Sequence, residues 1–296
     1  DVCSSDLYDE NRHFLLAQYF QANYNTAMKQ LPIVNSRVQI LRVEVWVTNR
    51  NGSTTDTRDV AAFMDLGERN PYSPILTGSG DNLPRNDANS LYRILTSNPN
   101  YRNSSLTQSS LSNLGLSPVQ DFEKTFARKL DSTQYIFNPQ VGMLSLSQPL
   151  QTDEVLGVAY QYSYNGRIFQ VGEFSQDVPP DSSSATQKVL FLKLLKATSQ
   201  RPSLPIWKLM MKNVYTIGYG TLSSSDFKLD VLFQEPGLGA KRYVPYGDKN
   251  LGTPVISLLN LDRLNSQLDP QPDGVFDYVE GFTVVSPYSQ IGRAHV

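Results

Sequence analysis

The chain has 296 residues, with 26 lysines and arginines against 28 aspartates and glutamates, a formal charge of −2, one cysteine and two histidines. That balance excludes a basic field for nucleic acid and an acidic tail, and the cations are scattered without interleaved aromatics. So little cysteine excludes a disulfide scaffold and cysteine-ligated metal, and no apolar run reaches the length of a transmembrane helix. A membrane barrel stays open, because its alternating strands leave a much weaker signal. Sixteen tyrosines, thirteen phenylalanines and two tryptophans fit a β-rich protein with half-wet strand faces.

The two ends encode one DNA word. Residues 1–7 read DVCSSDL and residues 291–296 read IGRAHV. One codon choice for the first, GAC GTG TGC TCT TCC GAT CT, has a reverse complement that translates from its third base as IGRAHV. Both ends are therefore expected to be an adapter read as protein, which removes Cys3 and His295 from the chemistry and leaves residues 8–290 as the natural segment.

Within that segment, Arg12 to Gln30 reads as helical or irregular. Val38 to Thr48 reads as a strand, with Leu41, Val43, Val45 and Val47 opposed to Arg42, Glu44, Trp46 and Thr48. Asn51-Gly52 supplies a turn. Asp56 or Thr57 caps a short helix ending near Gly67, residues 70–86 are an ordered loop, and Ala88 to Leu95 is a second short helix. The strongest helical signal starts at Ser117, with Pro118 at the first helical position, Gln120 at the capping-box position, and Val119, Phe122, Phe126 and Leu130 as the apolar stripe.

The period then changes to two. Tyr135 to Phe137 and Val141 to Leu146 are short strands around Asn138-Pro139. Leu156, Val158, Tyr160, Tyr162 and Tyr164 alternate up to Asn165-Gly166, and RIFQVGEF follows, which predicts a hairpin with a type I′ turn. Its aromatic face, Tyr160, Tyr162, Tyr164 and Phe169, can meet protein, lipid or cargo. Residues 175–187 form a linker between a β-rich region with short helices, 8–174, and a second β-rich region, 188–290. Val189 to Leu195 fits a strand or a helix, Pro205 to Asn213 a short helix, Phe227 to Phe233 a strand, and Val255 to Leu268 an apolar run mixed with a short helical turn.

Little here carries chemistry. His13 stands alone and reads as structural or exposed, since a triad would have to recruit it across the fold. Residues 77–82, TGSGDN, lack the lysine of a phosphate loop and read as a turn. The best small-site signal is DPQPDGVFDYVE. Asp269, Gln271, Asp273 and Glu280 take the first, third, fifth and twelfth places of a calcium loop, with Gly274 at the sharp turn and Asp277 at the ninth. Gln271, Pro270, Pro272 and the strand-like exit GFTVV also fit a carboxylate-rich turn with no ion. Calcium at these five residues is the one metal expected, and no other cofactor and no catalytic residue is expected.

The segments DEVLGVAYQYSYNGRIFQVGEF, LPIWKLMMKNVYTIG, DFKLDVLFQ and LNLDRLNSQLDPQPDGVFDYVEGFTV, in this order, resemble the SprA family of Bacteroidetes. That family serves gliding motility and is the outer-membrane translocon of the type IX secretion system. The resemblance implies a mainly β fragment with short helices and antiparallel hairpins, part of a giant outer-membrane β-barrel with folded inserts at the cell surface. It implies protein transport without enzymatic activity. The implied partners are secreted cargo, plug or gating subunits and outer-membrane lipid, with no nucleic acid. Two other readings stay open, a secreted β-rich carbohydrate- or protein-binding module and a glycoside hydrolase.

Overall fold

The longest described strand covers eleven residues in which two alternating apolar sets meet at Ile40 and Leu41, and the barrel of the larger half of the protein closes on it. The computed structural model describes residues 8–50, 52–180, 187–212, 214–217, 222–225, 227–285 and 290–292. In chain order the elements are β1 (His13–Leu15), α1 (Gln18–Ala27), β2 (Val38–Thr48), β3 (Thr57–Phe63), α2 (Leu91–Ser97), α3 (Thr107–Asn113), β4 (Phe122–Lys129), β5 (Tyr135–Asn138) and β6 (Met143–Leu146). They continue with β7 (Leu156–Tyr164), β8 (Arg167–Val171), β9 (Leu190–Lys196), β10 (Val214–Thr216), α4 (Val255–Leu258), β11 (Val284–Val285) and β12 (Gln290–Gly292). Single 3-10 turns occupy Pro99–Tyr101, Ser132–Gln134 and Pro205–Leu209.

Two units result. One comprises residues 10–24 and 36–211; the other gathers 25–35 and the chain from 212 onward, with the segment before residue 10. Helix α1 is divided between them, and residues 181–186 of the expected 175–187 linker lie outside the described residues. The adapter reading falls on residues 1–7 and 293–296, outside the described residues, and on Ile291 and Gly292, whose backbone pairs in β12.

The first unit is built on a closed barrel. Its sheet runs β2-β4-β3-β9-β7, and β7 pairs back to β2 over Val38↔Tyr164 to Val47↔Leu156, so five strands close on themselves. The β3–β9 pair is parallel, from Val60↔Leu190 to Phe63↔Lys193. β7 takes β9 along Leu156 to Val158 and β8 along Tyr160 to Tyr164. The hairpin turn is as expected: Asn165 and Gly166 both have positive φ, 49° and 76°, the geometry a type I′ turn demands.

The concave face is identified by Gly157. A Cβ there would lie 3.0 Å from Leu192 Cδ1 and 3.3 Å from the Cβ of Ala62. β7 and β3 are not neighbours, and side chains of non-neighbouring strands converge only inside a barrel. By register the interior also takes Trp46, Val60, Ala127, Ala159, Leu190 and Leu194, all buried. Small residues facing large ones fill the bore, as a barrel this narrow requires.

The outer face is covered by the protein itself. Phe20 of α1 stands edge-on to Tyr160 and Tyr162 at 6.1 and 6.4 Å, and Phe169 stacks on Tyr162 at 5.4 Å. Tyr162 donates its hydroxyl to the Pro84 carbonyl at 2.8 Å. Lys193 is buried against Glu68 at 2.8 Å, and its ammonium also donates to the Met64 carbonyl. A small antiparallel sheet, β1-β6-β5, lies beside the barrel, with Ile40 N donating to Pro139 O and Leu130 N to Val45 O along the free edge of β2.

These observations correct the resemblance and what followed from it. The fold is mixed α/β with one small closed barrel and separate three-stranded sheets, not a fragment of a giant outer-membrane β-barrel. A five-stranded barrel with a filled bore has no conduit, so the protein-conducting channel is overturned, and with it the assignment to the SprA family and to type IX secretion and gliding. The outer-membrane and cell-surface placement loses its basis in the same way. The aromatic face that was to meet lipid or cargo is buried at Tyr160 and Tyr162 under Phe20, so these strands present no lipid-facing band. No helix among the described residues is long and apolar enough to cross a membrane. Cargo, plug and gating subunits and membrane lipid belonged to that channel and are not carried forward.

Two helices of the sequence reading are strands. Residues 117–121 form a turn in which Asp121 Oδ2 accepts from Ser117 N at 2.7 Å and Val119 has φ 69°, and Phe122 to Lys129 then pairs with β3 and β2. Phe122, Phe126 and Leu130 are four apart, an even spacing that suits a strand face as well as a helix stripe. The helix expected after Asp56 is β3, held between β4 and β9.

The second unit has few ladders. β10-β12-β11 is its only sheet among the described residues, and Phe227 to Phe233 makes a single bridge, Phe233↔Lys241. Its core is Ile256, Phe276 and Val284, flanked by half-buried residues that include Phe227, Leu229, Val231 and Tyr278.

Candidate functional site

The barrel ends in a polar rim where β2 and β4 finish together, Thr48 opposite Ala127 and Trp46 opposite Lys129. The chain leaves β4 through Leu130, whose buried side chain anchors it, and enters the turn Ser132–Gln134. That turn is a reciprocal cap. Asp131 Oδ1 accepts from Thr133 N at 2.9 Å, and Gln134 Oε1 accepts from Asp131 N at 3.0 Å. The hydrogen bonds from Thr133 hold the Asp131 carboxyl below the usual aspartate range.

Two clefts open on either side of this turn, about 550 and 510 Å³, and Arg128, Leu130 and Gln134 form the wall between them. Glu44, Ser53, Thr55, Asp56, Lys129, Asp131, Ser132 and Tyr135 complete the first. Ser147, Gln148, Gln151, Arg50 and Glu154 line the second. Both are faced mainly by groups that can hydrogen-bond.

The carboxylates of the rim are mostly engaged. Glu44 is buried and accepts from Arg42 Nη2 at 2.7 Å, Ser175 N at 2.9 Å and Ser175 Oγ at 3.0 Å. Glu154 Oε2 accepts from Gln151 N at 2.8 Å, and Arg50 pairs with Asp153 at 2.7 Å in solvent. Tyr135 donates to the Val43 carbonyl at 3.1 Å, and burial, reinforced by Glu44 and Asp131, raises its phenol, which stays a neutral donor.

The wall between the clefts is different. Arg128 makes one long hydrogen bond, Nη1 to Gln134 Oε1 at 3.4 Å, and has no carboxylate within ion-pair reach among the described residues. Lys129 Nζ and the Gln134 amide nitrogen have no partner among them either. A largely uncommitted guanidinium, ammonium and amide, with serine and threonine hydroxyls and the Asp56 carboxylate lining the same cleft, give donors and acceptors for a polar ligand.

The sequence pointed elsewhere. Asp273 and Asp277 gather at the buried Asp262: Asp262 Oδ1 accepts from Asp273 N at 3.0 Å and Gly274 N at 3.2 Å, and its Oδ2 from Ser257 Oγ at 2.9 Å. Asp277 accepts from Arg263 N and Leu264 N at 2.7 and 3.1 Å. Asp269 accepts through its carbonyl from Asn265 N and Gln271 N, and Glu280 accepts from the Tyr278 hydroxyl at 3.2 Å. No group of three or more histidine, cysteine, aspartate or glutamate residues is placed to hold a metal among the described residues. Pro270 and Pro272 line an apolar groove of about 610 Å³ with Leu31, Pro32, Ile33 and Leu268. His13 is buried in β1 with Nδ1 bonded to Ser145 Oγ at 2.8 Å, and residues 77–82 pass from a bridge, Gly78↔Asn89, into a bend where the Gly80 carbonyl accepts from Arg69 Nε. The signal for the rim cleft was present but slight: Asp131-x-x-Gln134 is a capping-box pattern, and Arg128-Lys129 are two adjacent cations at a strand end.

The architecture is a small filled barrel with a polar cleft at its rim, within a mixed α/β fold. The chain matches no protein-family model and no curated protein.

Proposed function

We propose that the chain is a binding module that takes a hydroxyl-rich ligand, a carbohydrate, in the clefts around Arg128 and Gln134. The observation that carries this is the wall of uncommitted donors between two concave clefts. Protein partners usually bury flatter surfaces with an apolar centre, whereas a saccharide presents hydroxyls that exchange donors and acceptors with such a wall. Pockets for apolar ligands have the opposite lining.

The reading is of binding without turnover. A glycoside hydrolase needs one carboxylic acid and one carboxylate across the bond to be cleaved. Glu44, Asp131 and Glu154 at the rim are each engaged by hydrogen bonds from neighbours.

Calorimetric titration of the chain with a panel of neutral and acidic oligosaccharides tests the proposal. At least one class should bind, and Gln134→Ala should weaken it by about tenfold, the value of one good hydrogen bond. A folded protein that binds none of the panel at millimolar concentration, or a Gln134→Ala variant with unchanged affinity, would overturn it.

A further inference from the structure

We infer that residues 227–233 are an open strand edge that pairs antiparallel with the same segment of a second copy of this chain, about a two-fold axis at Leu229. The inference concerns the second unit and does not depend on the carbohydrate reading. The segment alternates in burial as a strand does: Phe227, Leu229, Val231 and Phe233 are half-buried, and Lys228, Asp230 and Leu232 are exposed. Its inner face is fixed by side chains. Phe227, Leu229 and Val231 pack on the core of Ile256, Phe276 and Val284, and the Phe227 ring lies 5.5 Å from both the Phe276 and the Tyr278 rings. Its main chain is open. Phe233 exchanges two backbone hydrogen bonds with Lys241, while the N–H and C=O groups of residues 227–232 bond no other backbone group among the described residues. An extended segment held in shape by its side chains, with its backbone groups unpaired, is ready to receive another strand.

Charge selects the occupant and the register. Lys228 has no ion-pair partner among the described residues, and Arg242 engages Asp230 through Oδ2 at 2.9 Å, which leaves Oδ1 open. With a second copy running antiparallel and Leu229 opposite Leu229, Lys228 of each copy lies opposite Asp230 of the other, and Phe227 lies opposite Val231. Opposite charges then meet twice on the outer face, and apolar residues meet on the inner one. Moving the axis to Asp230 or to Lys228 sets like charges against each other, and so does parallel alignment in register. A one-residue slip turns the apolar set of one copy to the solvent face.

Sedimentation equilibrium of the whole chain from about 10 to 500 μM, with reductant present to keep Cys3 out of a disulfide, tests the inference. The mass should rise with concentration toward twice the 33.2 kDa of one chain, and the amides of residues 227–232 should gain hydrogen-exchange protection over the same range. Lys228→Asp and Asp230→Lys each turn two attractive pairs into two repulsive ones and should weaken association by at least about tenfold. Lys228→Asp together with Asp230→Lys makes the charges opposite again and should recover most of the affinity. A chain that is monomeric at every concentration overturns the inference and leaves the edge to a strand of another protein. A dimer indifferent to both single changes, or a double change no better than the singles, overturns it as well, because the charges then do not set the pairing. If a single variant fails to fold, the concentration dependence of protection at residues 227–232 in the unaltered chain decides.

Discussion

The barrel unit and the second unit solve the same problem, the satisfaction of buried backbone groups, in two ways. In the barrel, long strands satisfy one another, closure of β7 onto β2 completes the ring, and where β4 does not reach β2, Leu130 N and Pro139 O bond to its edge. Side chains are then free to pack, and the interior of Trp46, Leu190, Leu192 and Leu194 is almost wholly sequestered from water. In the second unit the carboxylates of Asp262 and Asp277 and the amide of Asn265 do the work of a ladder, accepting backbone N–H groups of residues 263–274. Its apolar residues are less well covered: Leu251 is 67% and Val275 58% exposed. A cooperative ladder lets burial accumulate, while a set of polar hubs fixes loops without gathering a large core.

Truncation should separate the two most sharply. Leu192→Ala leaves a cavity inside the barrel and should cost about 3–5 kcal/mol in urea unfolding, whereas Leu251→Ala should change stability by no more than about 0.5 kcal/mol. Comparable costs would mean that the barrel interior is not the main source of stability.

The next effect concerns the buried ion pair. Glu68→Gln strands the Lys193 ammonium away from water and should cost about 3 kcal/mol, while the double change Glu68→Leu with Lys193→Met should recover most of that loss. A double variant as unstable as the single one would show that the pair is more than mutual neutralisation.

Two tyrosines on one face of β7 give a smaller contrast. Tyr162→Phe loses the hydrogen bond to Pro84 and should cost about 1 kcal/mol. Tyr160 has a buried hydroxyl with no partner among the described residues, so Tyr160→Phe should be neutral or stabilising. Thermal unfolding of the two variants side by side checks the opposite signs.

The pH responses of the units should also differ in sign. Burial pushes Lys196 of the barrel down from 10.5 to about 8, against the pull of Glu154, Asp153 and Glu123. Between about pH 8 and 10.5 the unfolded chain therefore holds more protons than the folded one, and this group makes stability rise with pH. In the second unit burial raises the Asp277 carboxyl, opposed by the backbone donors of Arg263 and Leu264 and aided by Asp262 and Asp273. The folded state then holds the extra proton, so its contribution is present below the unfolded aspartate range and is lost as pH rises through the folded value. Hydrogen exchange followed at β9 and at residues 262–277 reads the two separately, with Lys196→Met and Asp277→Asn removing each slope.

Much of the local structure was legible in order of residues. The β7–β8 hairpin followed from period-two aromatics and Asn165-Gly166, β2 from its alternation, and α2 from its short apolar pattern. One detail of β2 was not: the register shifts between Ile40 and Arg42, so Leu41 leaves the alternating set and is 48% exposed, while Val38 and Ile40 join Val43, Val45 and Val47. β4 was illegible as a strand, because an even spacing of four satisfies both periods and Ser117-Pro118 imitates a helix start. Phe227 to Phe233 shows the reverse. Its alternation is genuine and its alternate residues face a core, yet no neighbouring strand completes a ladder.

By itself, then, the sequence determined β2, the β7–β8 hairpin with its turn, and the short helix α2, because those depend on residues a few positions apart. Only the tertiary structure decided that Val60 meets Leu190 in parallel and Val47 meets Leu156, closing a barrel too narrow to conduct anything. Neither pairing leaves a local trace, since strand partners are chosen by the joint burial of both faces. The same holds for the rim: Arg128 and Gln134 are ordinary polar residues until the strand end and the capped turn bring them to one wall and leave most of their donors without partners among the described residues.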